Sequence, residues 1–391
     1  MTSLATPADG LAAARSLRPL LAERATDHDR AGVFPVEDFA DLRSSGLMGL
    51  MAPTRLGGAG AGFAEYAEVA MALAEGNGAT ALVYNMHSSI TGALASMPDD
   101  IARALGVPDS YFGMRDRVLS DAAGGAFYAV AMSERGSGSR LSGVTTTYES
   151  KGADGYLIRG SKTFCSGAGH ADGYLVAARN GDLVSYFLVP AGPGLTVEQT
   201  WDSLGMRATG SQDLHLDVVA PQDSLLGGVE GLTLLLAQVM PQWLVASYAA
   251  VYVGVAQSAI DHAVRHAQER NLSHLPAVRA RIGRADAQVA AARLAVLEAA
   301  RRVDADPGTP ETNRWIWRAK LLAGETAMEV AASMLEAAGT SATRKGHPLE
   351  RIYRDARCGS LQPATSDVCA DWLGMTALGL DADSGSTVPR W

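Results

Sequence analysis

The segment Ala131-Met132-Ser133-Glu134-Arg135-Gly136-Ser137-Gly138-Ser139 follows the first of several short apolar runs in the middle of the chain. Gly, Asp and Asn separate these runs between residues 125 and 220, a pattern typical of β-strands. The predicted strands are Ala126–Met132, Val144–Tyr148, Tyr156–Arg159, Gly173–Ala178, Leu183–Val189 and Asp213–Val219. The quoted segment is therefore expected to leave a strand as a loop of small and hydroxyl residues. Such a loop lets the backbone approach a flat ligand closely, although most loops of this composition are simple turns.

Helical periodicity lies on both sides of this central region. The predicted helices before it are Ala12–Ala25, Pro35–Ser45, Ala64–Glu75 and Thr80–Ser96, and long helical patterns return from residue 226. This order of elements, in which strands follow one group of helices and precede another, predicts an α+β multi-domain protein. Its β-domain would lie between two helical domains, and the chain would not be a series of βαβ units. The predicted domains are 1–122, 123–224 and 225–391.

Composition narrows the range of partners. The 391 residues are 47% hydrophobic and 19% charged, with a formal net charge of −9 and no basic run. Because nucleic-acid binding needs clustered Lys and Arg, a small-molecule ligand is the better expectation. Three cysteines, Cys165, Cys358 and Cys369, lack C-x-x-C spacing, so neither a disulfide framework nor a zinc site is predicted. With no secretory signal in the first twenty residues, a cytoplasmic protein is expected.

A long uncharged stretch between Glu230 and Asp261 raises the question of a membrane span. Pro241, Gln242 and Ser247 interrupt it, and the helical pattern continues into the charged segment Asp261–Arg270. These features favour a helix buried inside a bundle over a helix in a membrane.

Three blocks, in order along the chain, resemble the acyl-CoA dehydrogenase superfamily. Ala131–Ser139 is similar to the family's A-x-T-E-P-x-A-G-S, Lys162–Gly167 to K-x-W-I-T-N, and Ser203–Ser211 to L-G-M-R-x-S. The resemblance implies an N-terminal helical domain, a central β-barrel or sandwich domain and a C-terminal four-helix bundle. It also implies an FAD cofactor and a homo-oligomer, either a tetramer or a dimer.

The resemblance assigns the cofactor contacts residue by residue. Phe164 would cover the flavin face, and Ser166 would reach its N5/O4 side. The full cofactor-binding set implied is Met132, Ser133, Gly138, Ser139, Phe164, Cys165, Ser166, Arg270, Gly339 and Thr365. In the family, an Arg-x-x-Phe-Gly turn and a Gly-Gly-x-Gly turn, partly from a neighbouring subunit, grip the pyrophosphate and adenine of FAD. Arg270 begins the first turn here, but the segment that follows it, Asn271–Pro276, is shorter than in the family and lacks Phe-Gly. Gly339 keeps only the first glycine of the second turn. These departures suit reduced flavin delivered by a separate reductase, or altered loops that bind FAD differently.

The catalytic base of the family is missing from the expected place. Pro348–Arg357 resembles the family stretch that leads into Glu-Gly-Thr, but here the residues at that spacing are Pro363-Ala364-Thr365. Proline also lacks the backbone N–H that, in the family, helps hold the thioester oxygen. The family's second base position falls near Leu244, which is not a carboxylate either.

Other residues are candidates for the missing chemistry. His87 could shuttle a proton near neutral pH, although a histidine satisfied in a helix interface is the alternative. Asp367 lies one helical turn beyond the lost Glu and is a second candidate base, with helix capping as its alternative. Gln242, Tyr248 and Pro363 are candidate substrate-binding residues. His262 and His266 have the spacing of a metal pair, but an exposed helix face explains them better, and no metal is expected.

We therefore expect a flavin-dependent oxidoreductase that uses oxygen, as a monooxygenase or oxidative tailoring enzyme of bacterial specialised metabolism. One alternative is an acyl-CoA or acyl-carrier-protein thioester α,β-dehydrogenase with a relocated base, His87 or Asp367. Another is a non-catalytic binding or assembly homologue. The expected partners are a small acyl or related substrate and a flavin reductase or electron-transfer flavoprotein.

Overall fold

The computed structural model describes residues 4–380, so the outermost residues of the first and third predicted domains lie outside the described part. Six helices precede the first strand: α1 (Pro7–Ala31), α2 (Val36–Ser44), α3 (Phe63–Gly76), α4 (Gly78–Ser96), α5 (Asp99–Ala104) and α6 (Asp109–Ala123). Thr6 and Asp9 form a reciprocal capping box at the start of α1. The four predicted helices are present, and α1 extends beyond its predicted range at both ends. The pattern did not resolve α5 and α6 as separate helices.

The central region is one seven-stranded sheet. Its strands are β1 (Tyr128–Ala131), β2 (Thr147–Ser150), β3 (Tyr156–Cys165), β4 (Gly173–Asn180), β5 (Leu183–Pro190), β6 (Leu195–Glu198) and β7 (Gln212–Ala220). The order is β1-β4-β2-β3-β7-β6, with β5 paired to β4. Strand β1 runs parallel to β4, and β3 runs antiparallel to β7 with an irregularity between Lys162 and Cys165. Every predicted strand overlaps an observed one, whereas the four-residue β6 was not predicted.

Six helices follow the sheet: α7 (Leu232–Val239), α8 (Ala246–Glu269), α9 (Pro276–Ala305), α10 (Pro310–Ala338), α11 (Pro348–Arg357) and α12 (Ser366–Ala377). Helices α8, α9 and α10 pack on one another, and α8 also packs on α3. This contact is close enough that a Cβ on Gly254 would clash with the carbonyl oxygen of Met71. The helical segment Pro241–Glu269 is long and apolar enough to cross a membrane, but 83% of its apolar window is buried inside the protein. It is the central helix of the bundle.

Helix α11 joins the three regions of the chain. Arg354 donates to both carboxylate oxygens of Asp29 in α1, at 3.0 and 2.6 Å. The backbone N–H of Met206, which follows the sheet's sixth strand, donates to Asp355 Oδ1 at 2.6 Å. A Cβ on Gly205 would clash with the backbone of Arg354, so glycine is needed for this approach. The α11 segment therefore fixes both the first helix and the β-domain against the bundle.

Candidate active site

A cavity of about 1050 Å³ lies where the three regions meet. Its walls come from α4 and the α5–α6 region, from the β-domain, from the segment entering α8, and from the loop after α11. Pro363 and Leu244, the two positions at which the family resemblance predicts a base, both line it. The predicted substrate-binding residues Gln242 and Tyr248 line it as well.

The carboxylates of the cavity wall already have partners. The carboxylate side chains among the described lining residues are those of Glu134, Asp202 and Asp213. Glu134 pairs with Lys162 at 2.7 Å, and Asp202 accepts from Arg207 at 2.7 Å. Asp213 accepts from Arg135 at 2.6 Å. None of the three is left as an unpaired acceptor for a substrate proton.

The loop after β1 is held rigidly by Glu134. This residue is almost fully buried and accepts from the backbone N–H groups of Thr145 and Thr146, at 2.6 and 3.0 Å, in addition to Lys162. Burial raises its pKa, but the hydrogen bonds from Lys162 and Thr145 outweigh burial and lower the pKa to about 2. Glu134 and Gly138 also exchange two backbone hydrogen bonds across the loop. The predicted cofactor-contacting residues Met132, Ser133, Gly138 and Ser139 all face the cavity.

Phe164 presents an aromatic ring to the cavity from a strained position. Its φ is +56°, in the left-handed region that bulky residues rarely occupy, and the residue is 61% exposed. The backbone is fixed next to it, because Thr163 donates its N–H to Ser133 O at 2.9 Å and its hydroxyl to Asp213 at 2.8 Å. Strain of this kind concentrates at ligand sites. An exposed flat ring beside the small-residue loop fits a planar, flavin-like ring system.

A chain of hydroxyl groups lies beside Phe164. Ser166 Oγ is 2.9 Å from Ser211 Oγ, which is 2.6 Å from Thr209 Oγ1, and all three residues line the cavity. Ser166 was predicted, whereas Thr209 and Ser211 were not. Both belong to the Ser203–Ser211 block, to which no cofactor contacts were assigned from the resemblance.

Cys165 was predicted as a cofactor contact, but its side chain lies behind the cavity wall. The residue is completely buried, and its thiol contacts the carbonyl of Thr163 at 3.8 Å. Burial raises the pKa of the thiol to about 12. The strand directs the neighbouring Phe164 towards the cavity and Cys165 away from it.

His87 does not reach the cavity either, which removes the basis of its predicted catalytic role. The buried ring accepts the backbone N–H of Tyr128 on Nδ1 at 3.2 Å, so Nε2 carries the proton and donates to Met48 O at 2.7 Å. Burial lowers its pKa to about 4. His87 is a neutral histidine satisfied between helix α4 and the sheet, which is the alternative interpretation.

The remaining predicted site residues lie outside the cavity wall. Asp367 is exposed in the first turn of α12, and Thr365 caps that helix by accepting from the N–H of Val368 at 3.3 Å. Arg270 ends α8, and Gly339 ends α10. The resemblance gives the last two residues a role across a subunit boundary, and that role stays a prediction. Within residues 4–380, no three potential metal-binding side chains come together.

The loop that carries Pro363 is held by a buried lysine. Lys320 of α10 is completely buried and donates to three backbone carbonyl oxygens, those of Gly359 at 2.9 Å, Gln362 at 3.1 Å and Ala364 at 2.9 Å. All three protons of the ammonium group are thus satisfied by one short loop. This arrangement places Pro363 firmly in the cavity wall.

Family models match most of the chain. The N-terminal domain of acyl-CoA dehydrogenase matches residues 12–100, the middle domain residues 129–219 and the C-terminal domain residues 243–375. The chain belongs to the acyl-CoA dehydrogenase superfamily. The predicted fold class and the predicted class of flavin-dependent oxidoreductase are thereby confirmed.

Individual relatives of this superfamily member have several different activities. L-evernosamine nitrososynthase from Micromonospora sp. is 34% identical, over 94% of this chain and 89% of its own length. The short-chain specific acyl-CoA dehydrogenase of Bos taurus mitochondria is 29% identical, over 91% and 85%. The X-ray structure of KijD3 in complex with FMN and dTDP-3-amino-2,3,6-trideoxy-4-keto-3-methyl-D-glucose is 28% identical, with a TM-score of 0.82 and coverage of 96% and 95%. Overall similarity therefore identifies the superfamily, whereas the reaction depends on the residues of the site.

Proposed function

We propose that this protein is a flavin-dependent monooxygenase that transfers oxygen to the nitrogen of a small-molecule amine. The observation that carries the proposal is the cavity wall at Pro363 and Leu244, where neither residue can accept a proton. Desaturation of a thioester needs a base within hydrogen-bonding reach of the α-proton. Oxygenation of a neutral amine does not need a carboxylate at either position.

The relatives support nitrogen as the atom that is oxidised. A nitrososynthase, by its name, makes a nitroso compound, and the KijD3 structure contains both FMN and an amino sugar nucleotide. Both relatives match this chain over nearly its whole length. Similarity to them therefore covers all three regions that form the cavity.

The residues that would hold the flavin ring are those of the loop after β1 and of the Phe164 turn. We propose FMN as the cofactor, as in the KijD3 structure, in place of the FAD expected from the sequence. The altered turns at Arg270 and Gly339 support this choice, because in the family they grip the pyrophosphate and adenine that FMN lacks. A separate flavin reductase would deliver the cofactor in its reduced form.

The reaction balances with one molecule of O2 and one reduced flavin. Reduced flavin, held by the loop after β1 and the Phe164 turn, would supply two electrons and activate O2. One oxygen atom bonds to the amine nitrogen to give a hydroxylamine, and the other leaves as water. A second round would convert the hydroxylamine to a nitroso compound with release of two further waters.

The contribution of the protein is to keep the amine uncharged. An apolar environment disfavours a charged group and so lowers the pKa of a bound amine. Pro363 adds no carboxylate that would stabilise the ammonium form. The lone pair on nitrogen therefore stays available to the reactive oxygen.

The test is turnover under ¹⁸O2 with FMN, NADH, a flavin reductase and a panel of amines that includes both amino sugars and apolar amines, followed by mass spectrometry. We expect one ¹⁸O atom in the hydroxylamine product. Anaerobic bleaching of bound oxidised flavin by acyl thioesters, without ¹⁸O incorporation, would instead indicate a thioester dehydrogenase. Failure to bind flavin in either redox state would indicate a non-catalytic homologue.

The cellular location and the oligomeric state of the enzyme are proposals as well. We propose a cytoplasmic homo-oligomer, a dimer or tetramer, in which Arg270 and Gly339 of one subunit approach the cofactor of another. Analytical ultracentrifugation with and without FMN would measure the assembly and its dependence on the cofactor.

A further inference from the structure

One end of the cavity is a chamber with apolar walls. It lies between α4, the α5–α6 region, the sheet and α7, and its side chains belong largely to one hydrophobic cluster. The residues that define it are Leu94, Met97, Leu105, Val107, Leu175 and Leu236. This surface favours an apolar ligand, because burial of apolar area is the main source of affinity there.

The cavity wall offers little positive charge. Its cationic side chains, among the described residues, are Arg135 and Arg357. Arg135 donates through both Nε and Nη2 to Asp213, so its charge is already compensated. Arg357 has no carboxylate partner among the described residues and donates to Ser360 Oγ at 2.9 Å. A diphosphate enclosed here would face at most one uncompensated arginine, and burying its charges without partners is unfavourable.

Three polar groups in the wall next to the chamber lack good partners. Gln242 is 1% exposed, and its side-chain oxygen Oε1 is buried without a hydrogen-bond partner among the described residues. The indole N–H of Trp243 is also buried without a partner. Among the described residues, the hydroxyl of Tyr248 donates only to the sulfur of Met86, at 3.7 Å. Burial raises its pKa to about 12, so the phenol stays neutral and its oxygen can still accept a hydrogen bond. Buried polar groups are normally paired, so this cluster indicates a ligand that completes it.

We propose that the substrate is a predominantly apolar amine, held by its polar end at Gln242 and Tyr248, and not a nucleotide diphosphate sugar. The inference rests on the proposed N-oxygenation, because it names the substrate class of that site. The carbonyl oxygen of Gln242 accepts one N–H of the amine, and the phenol oxygen of Tyr248, whose own proton points to Met86 Sδ, accepts the other. The nitrogen lone pair thus stays free for the reactive oxygen. The apolar body fills the chamber, and no phosphate-binding site is needed.

Equilibrium dialysis of the FMN-loaded protein tests the proposal without turnover, so it can fail or succeed independently of the N-oxygenation assay. The probes are 4-phenylbutylamine, butylbenzene as the matched hydrocarbon without the amine, and thymidine diphosphate. We expect the amine to bind at least about tenfold more tightly than either of the other two. Equal or tighter binding of thymidine diphosphate, displaced by the amine and weakened by salt, would overturn the proposal.

A pair of variants then locates the polar contact. Gln242→Leu is expected to reduce the preference for the amine over butylbenzene by about tenfold, while binding of butylbenzene stays unchanged. Gln362→Leu is the matched control, because Gln362 also lines the cavity but already accepts from Tyr252 at 2.8 Å. An unchanged preference in Gln242→Leu, or an equal loss in both variants, would refute the role of Gln242. If Gln242→Leu does not fold, the comparison of the three probes on the unmodified protein still decides the substrate class.

Discussion

Replacing Lys320 by methionine removes the ammonium group that holds the loop carrying Pro363, with little change in side-chain length. Three carbonyl oxygens, of Gly359, Gln362 and Ala364, lose their donor. Hydrogen bonds to a charged group contribute about 1.5–3 kcal/mol each. Because methionine also removes the desolvation cost of the buried charge, we expect a smaller net loss of about 3–5 kcal/mol in the free energy of opening this loop.

Native-state hydrogen exchange measures that free energy locally. The N–H groups of Leu361 and Gln362 both donate to Cys358 O, at 3.1 and 2.9 Å, and report on the loop. A loss of 3–5 kcal/mol corresponds to exchange faster by a factor of roughly 10²–10⁴, up to the rate of an unprotected amide.

Lys345→Met is the matched control, because Lys345 is 83% exposed and forms a surface ion pair with Glu350. Its effect on the same amides should stay within about fivefold. If exchange in Lys320→Met rises no more than in Lys345→Met, the lysine does not hold the loop and our reasoning is wrong. Lys320→Arg, which keeps the charge, would show whether the compact ammonium geometry is needed.

Three further predictions concern the same cavity. Glu134→Gln leaves Lys162 buried without a carboxylate and should destabilise the protein by about 3–5 kcal/mol in thermal unfolding at pH 7. The pKa of Glu134 is lowered from 4.5 to about 2 in the folded protein, so its stabilisation of the native protein is complete above pH 4.5 and declines as the pH falls towards 2. The variant should lack the loss of stability that this protonation causes in acid. Gly92→Ala places a methyl group against the ring of Trp243 and should cost about 1–3 kcal/mol, with a change in tryptophan emission that a well-tolerated methyl would not produce. Pro363→Glu adds a carboxylate that favours the ammonium form of a bound amine, so the pH–rate profile of N-oxygenation should move about 1–3 units to higher pH, and an unmoved profile would contradict the proposed need for a neutral amine.

Much of the architecture was predictable because periodicity reports which faces of the chain are buried. The change from helical to alternating runs located the sheet, and the order of the three blocks located the loop after β1 and the Phe164 turn. The resemblance of Pro348–Arg357 to the family also predicted that Pro363 stands at the base position. This residue lines the cavity, and its replacement of a base stays a prediction. Strand β6 was missed because four residues, Leu195–Glu198, carry too little pattern.

The errors at the site concern which way a side chain faces after distant elements have packed. His87 is satisfied by Met48 and Tyr128, which are 39 and 41 residues away, and no local pattern reveals that docking. Asp367 is close in sequence to the lost base, but α12 turns it towards solvent. Cys165 lies at the irregularity that separates it from Lys162, where Phe164 has a left-handed backbone, so regular strand alternation does not predict which way either side chain faces.

The packing of helix α8 has a consequence for the synthesis of the protein on the ribosome. Its apolar surface is covered by α3, made earlier, and by α9 and α10, which end at Ala305 and Ala338. At a rate of about 5–20 residues per second, the residues between Glu269 and Ala338 take roughly 4–14 s to add. During that interval a helix apolar enough to enter a membrane is only partly covered. A nascent chain stalled before Ala338 should therefore bind chaperones or lipid vesicles, whereas a chain released at full length should not.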